Sequence, residues 1–102
     1  MIIYNVTVKT EKSIAAEYLQ WLKAEHLTDM MNTGLFSDYR VCRLMDENGD
    51  SDGETFVIQF HCDSIENYKS YIDEHSPAMR KKSQEKFGSQ FVAFRTVMEL
   101  IN

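Results

Sequence analysis

The stretch Tyr18-Leu19-Gln20-Trp21-Leu22-Lys23-Ala24-Glu25-His26 decides how this chain folds, and it holds the only tryptophan. On a wheel of about 100° per residue, Ile14, Ala15, Tyr18, Leu19, Trp21, Leu22, His26 and Met30 share one apolar half. Gln20 and Lys23 lie outside that stripe, and so do Leu27 and Met31. The phase therefore slips near His26 to Asp29, and a bend or a second short helix is expected there. Ser13 is the expected N-cap and Gly34 the stop. A second helix of similar character comes later in the chain. Ile65, Tyr68, Tyr71, Ile72, His75 and Met79 form its apolar face, with Asp63 or Ser64 as cap and Gly88 at the end. Pro77 lies inside that pattern and predicts a kink or restart near His75. Leu19, Leu22, Glu25, His26 and Met30 match Tyr68, Tyr71, Glu74, His75 and Met79 in spacing, an echo of two related halves.

Four segments read as strands. Ile2 to Val8 alternates strictly, and Phe36 to Met45, Thr55 to Cys62 and Phe91 to Leu100 come after it. An acidic turn from Asp46 to Gly53 joins the second to the third. The order β-α-β-β-α-β is the ferredoxin-like pattern, an α+β fold. It predicts a four-stranded antiparallel sheet with two helices on one face, in one domain spanning 1–102. Strand parity assigns Ile2, Tyr4, Val6, Val8, Tyr39, Val41, Met45, Phe56, Ile58, Phe60, Val92, Phe94, Met98 and Leu100 to the helix-covered face. The other face receives Ile3, Asn5, Thr7, Phe36, Arg40, Cys42, Leu44, Val57, Gln59, His61, Phe91, Ala93, Arg95 and Val97. So many apolar residues on a face without helices mark an interface. A homodimer with sheets packed face to face is the expected assembly. Its polar cluster of Arg40, Gln59, His61 and Arg95 then needs partners across the interface, water or a ligand.

Composition narrows the function classes. Formal net charge is -5, and Arg80-Lys81-Lys82 is the one basic run, so a nucleic-acid partner is not expected. No charged leader and no 18-residue apolar stretch occurs, so neither a membrane partner nor export is expected and the location read is cytoplasmic. Cys42 and Cys62 lie in strands without a CxxC or His-rich spacing, and they read as free thiols that are buried or half-buried. The acidic turn mimics part of a calcium loop at Asn48, Asp50, Asp52 and Gly53. It lacks the first Asp, puts Gln59 where the bidentate Glu belongs and is flanked by strands. No GxSxG, Walker loop, GxGxxG or HExxH is present. No metal and no cofactor is expected.

The runs MIIYNVTVK, QWLKAEHL, DYRVCRL, YKSYIDEHSPAMR and FGSQFVAFRTVMEL resemble a small bacterial family of about this length classed as a domain of unknown function. The resemblance implies the dimeric α/β-barrel architecture of the ferredoxin-like group. That wider group includes antibiotic-biosynthesis monooxygenases, stress-responsive barrel proteins, sugar mutarotases and haem-dependent members. Chemistry varies within it while the fold does not, so the resemblance carries architecture and not activity.

Candidate sites are set by residue type and face. His26 and His75 point toward the sheet from their helices, where a neutral imidazole can act as a base, hold a ligand or simply be satisfied in the core. Tyr18, Trp21, Tyr68 and Tyr71, with those histidines, can line a small ligand pocket between helices and sheet or simply pack as core. Arg40 and Arg95 can clamp a carboxylate or phosphate, or pair with Asp38 or Glu99. Glu25 and Glu74 read as solvated. Three functions compete, in this order: binding of a small apolar or aromatic molecule; a cofactor-independent enzyme of the monooxygenase or isomerase kind using His26 or His75; and an interaction dimer with a filled interior.

Overall fold

The computed structural model describes residues 1–45 and 53–102. In chain order the elements are β1 (Ile2–Glu11), α1 (Lys12–Trp21), a π-helical turn (Leu22–His26), α2 (Leu27–Asn32), β2 (Asp38–Arg43), β3 (Gly53–Cys62), α3 (Ile65–Glu74), α4 (Ser76–Phe87), a 3-10 turn (Gly88–Gln90) and β4 (Phe91–Glu99). The strands form one antiparallel sheet in the order β2-β3-β1-β4. The helices cover one face, and the α+β, ferredoxin-like class holds.

β1 is the axis of the sheet. It pairs with β3 from Ile2↔Cys62 to Glu11↔Gly53, and with β4 from Ile2↔Glu99 to Thr10↔Phe91. Alternation then buries Tyr4, Val8 and Thr10 beneath the helices, beside Phe56, Ile58, Phe60 and Cys62 of β3. Gly53 allows the two strands to close at the far end, because a Cβ there would run into the Thr10 carbonyl. The acidic turn, with its calcium-like positions Asn48, Asp50 and Asp52, lies outside the described residues apart from Gly53.

Register overturns the expected faces of β4. Val6 pairs with Arg95 and Val8 with Ala93, so Phe91, Ala93, Arg95 and Val97 share the helix-covered face. Val92, Phe94, Thr96 and Met98 occupy the free face. The two faces of β4 are equally apolar, so alternation alone could not choose between them. Phe36 is likewise not on the free face: it precedes β2 and is buried against Tyr4, Phe60 and Tyr71. Cys62 is buried as expected, with its thiol donating to the carbonyls of Leu35 and Ser64 at 3.4 Å, whereas Cys42 is exposed.

The phase slip in the first helix is a π turn. Helix continues from Lys12 to Asn32 without interruption, but the extra residue within Leu22–His26 rotates α2 relative to α1. Leu27, off the stripe of an unbroken helix, thereby joins Ile14, Tyr18, Leu22 and Met30 in the core. Ser13 is not the cap. Helix begins two residues earlier than that cap implies, at Lys12 behind Glu11, without a side-chain cap. In the second half the expectations hold more closely. Ser64 Oγ accepts the Asn67 N–H at 3.1 Å, helix breaks at His75 (φ -120°), Pro77 sits in the first turn of α4, and Gly88 ends it at φ 58°.

A π turn of this kind is one inserted residue, so removing one residue restores an ordinary helix with both apolar stretches in phase. Deleting the exposed Ala24 is expected to change unfolding free energy by less than about 1 kcal/mol. The same deletion at Lys82, inside regular helix α4, is expected to cost several times more by turning Phe87 out of the core. Urea unfolding of the two deletions checks this.

Candidate functional site

The helices do not close completely over the sheet. A slot remains between α1, the π turn and α4 above and β1, β3 and β4 below. Its walls include Tyr4, Tyr18, Trp21, His26, Tyr71, Ser83, Arg80 and Arg95. The empty space is about 490 Å³ with its solvent mouth, but only about 30 Å³ admits the centre of a water-sized sphere. That is room for about two waters at rest, so a larger ligand enters only as the walls part.

The walls are aromatic on both sides. Tyr4 packs near Phe36, Phe60, Tyr68 and Tyr71, with ring centroids 5.4 to 6.3 Å apart. Tyr18 contacts Trp21, Phe56, Phe87 and Phe91 at 5.3 to 6.2 Å. Burial raises the pKa of all three slot phenols, Tyr4, Tyr18 and Tyr71, so they remain neutral hydroxyls. Arg95 opposes the shift at each of them.

His26 ends the π turn, and the turn is what aims it. Its ring stacks on Trp21 at 4.9 Å and 18°, and its Nδ1 is buried without a hydrogen-bond partner among the described residues. Burial pulls its pKa down to about 4; Asp29 opposes this, while Lys82 and Arg95 add to it. At neutral pH the imidazole is uncharged and one ring nitrogen is free to accept or donate.

Of the residues singled out in the sequence, Tyr18, Trp21, His26 and Tyr71 converge on the slot, while Tyr68 and His75 stand outside its lining. His75 sits at the α3–α4 break, half-buried, 4.0 Å from Glu74 and stacked on Tyr71 at 6.3 Å. The polar cluster expected on the free face divides. Arg40, Gln59 and His61 lie there, with Gln59 donating to Asn5 Oδ1 at 3.3 Å, but Arg95 projects to the opposite face and into the slot. Arg80 and Ser83 have no signal of their own in the sequence. Arg80 reads there as part of a solvated basic run, and only the turn of α4 brings it to the slot. Among the described residues no group of three or more His, Cys, Asp or Glu side chains could hold a metal, and no helix is long and apolar enough to cross a membrane.

The chain belongs to the family described as a domain of unknown function, DUF4286, whose model matches residues 1–101. Against curated proteins the sequence has no match. Solved structures share its fold at low identity. A dimeric ferredoxin-like protein from an uncultured marine organism aligns with TM-score 0.70 and 15% identity, over 100% of this chain and 96% of that one. An ethyl tert-butyl ether d (ethd) family protein from Bacillus halodurans C-125 aligns with TM-score 0.69 and 12% identity, over 99% and 100%. SnoaB, a cofactor-independent oxygenase from Streptomyces nogalater, aligns with TM-score 0.63 and 9% identity, over 99% and 94%.

The His26–Trp21 stack gives a direct readout. Imidazolium quenches indole emission more than imidazole does, so Trp21 fluorescence is expected to fall with a midpoint near pH 4, not near the ordinary value of about 6.5. The same displacement affects stability. The folded pKa lies below the unfolded one, so the unfolded chain holds the extra proton between them. The stabilisation is complete above about pH 6.5 and is lost as pH falls through the folded value, by at most about 3 kcal/mol. His26→Gln is expected to remove that part of the slope in urea unfolding across this window.

Proposed function

We propose that this protein is a homodimer that binds a small, flat aromatic molecule in the slot of each chain. The buried Nδ1 of His26 carries the reading. A buried polar atom without a partner costs about 1–3 kcal/mol, and a ligand entering between aromatic walls would supply the missing hydrogen bond. Tyr18, Trp21, Tyr71 and His26 form the binding wall, and Tyr4 lines the slot beside Tyr71. Tyr68 backs the wall through Tyr4, with ring centroids 5.6 Å apart, and His75 plays no part in it.

The pairing rests on the free face. Phe94 is 67% exposed, Val92 54% and Met98 40%, beside Ile3 and Val57 on neighbouring strands. The corrected parity leaves this face as apolar as before, and two sheets packed on it would bury that patch. Arg40 and His61 lie toward its β2 side, where they can meet the second chain or water.

A second reading comes from the uncharged imidazole. With a substrate in the slot, His26 is placed to take a proton from it, as a cofactor-independent oxygenase- or isomerase-like enzyme requires. Binding tolerates His26→Gln with a modest loss of affinity, whereas turnover would not survive it.

Two measurements test the proposal. Sedimentation is expected to show a dimer for the native chain and for Arg95→Glu, but a monomer for Phe94→Glu; a dimeric Phe94→Glu would remove this face from the interface. A thermal-shift panel of one- and two-ring aromatics is expected to raise the melting temperature. Ligand at a hundredfold above Kd adds about 2.7 kcal/mol. A panel without any shift at millimolar concentration would refute the binding reading.

A further inference from the structure

The wall of the slot contains two cations and no carboxylate. Arg95 reaches it from β4 and Arg80 from α4, and no Asp or Glu is among its lining residues. The chain is acidic, with 16 Asp and Glu against 11 Lys and Arg. Four surface cations pair with carboxylates: Lys82 with Asp29 at 3.2 Å, Arg43 with Glu54 at 3.4 Å, and Lys81 with Glu85 and Lys86 with Glu17 at 3.9 Å. Among the described residues, neither Arg80 nor Arg95 makes such a pair. Arg95 is half-buried, and the groups around it are neutral phenols and an uncharged imidazole. A guanidinium drawn out of water in this way usually faces an anion.

We infer that the ligand of the slot is an aromatic carboxylate, its ring between the tyrosine and tryptophan walls and its carboxyl group held by Arg95, with Arg80 at the rim. This rests on the slot being a binding site, and it names what the site selects. The planar fork of a guanidinium matches the two oxygens of a carboxylate. A carboxylate is the smaller of the two anions that such a fork pairs with, and the slot is small. Arg95 lies across from Val6 on the sheet floor, so the carboxyl group sits deep and the ring extends toward Trp21 and His26.

The test compares charge at constant shape. Benzoate, 2-naphthoate, their carboxamides and phenyl phosphate are titrated into the 15N-labelled native protein, with the Trp21 indole and Arg95 Nε–H cross-peaks as reporters. The acids are expected to bind at least tenfold more tightly than the amides. Arg95→Gln is expected to bring acid and amide within twofold of each other, and Arg95→Lys to retain part of the preference. Equal affinity of acid and amide for the native protein overturns the inference while leaving the slot a binding site, and this comparison needs no folded variant. An acid preference that survives Arg95→Gln overturns the role of Arg95. Phenyl phosphate binding more tightly than benzoate overturns the choice of carboxylate. Binding of neither acid nor amide removes the slot as a site, and the inference with it.

Discussion

The first helix must lay two apolar stretches on one sheet, and they are out of phase. Ile14, Tyr18 and Leu22 set the angle of α1 on β1 and β3. Leu27 would point away if α-helical geometry continued unbroken. The π turn at Leu22–His26 resolves the conflict with one extra residue. Its by-product is the position of His26. A side chain at that point of a regular helix would meet either the core or solvent. Here it lies flat on Trp21 at the wall of a slot, with a nitrogen that nothing among the described residues satisfies. π turns often coincide with functional positions for this reason: they are kept where the displaced side chain is useful.

Both helical layers are interrupted at the echoed histidines, and the interruptions differ in kind. His26 ends a π turn within continuous helix, whereas His75 occupies a break followed by Pro77. The first places its imidazole in the slot. The second leaves its imidazole half-exposed beside Glu74. Two halves related by sequence spacing have therefore diverged in what their histidines can do. Only His26 combines burial, aromatic stacking and an open hydrogen-bonding position.

The architecture is legible in the sequence because alternation in β1 and β3 is strict and one-sided. Tyr4, Val8, Phe56, Ile58 and Phe60 allow only one orientation. β4 is not legible in the same way. Phe91, Ala93 and Val97 compete with Val92, Phe94 and Met98 on equal terms, and only pairing with β1 decides which set faces the helices. The site is half legible for the same reason. Tyr18, Trp21, His26 and Tyr71 lie on helices whose apolar stripes are plain, and they meet. Arg95 stands out by its chemistry, but alternation puts it on the wrong face. Arg80 is hidden in a basic run whose ordinary reading is a solvated surface. The phase slip is visible in Leu27 and Met31, but wheel arithmetic does not distinguish a bend from a π turn.

The two faces of the sheet thus divide the work. One carries an exposed apolar patch, and the other holds an aromatic slot with Arg80 and Arg95 in its lining. Native mass spectrometry of the protein purified from its own cells reads both at once. The expected result is the mass of two chains plus a small acidic aromatic molecule that leaves on collisional activation. A single chain without any retained molecule would contradict both halves of that division.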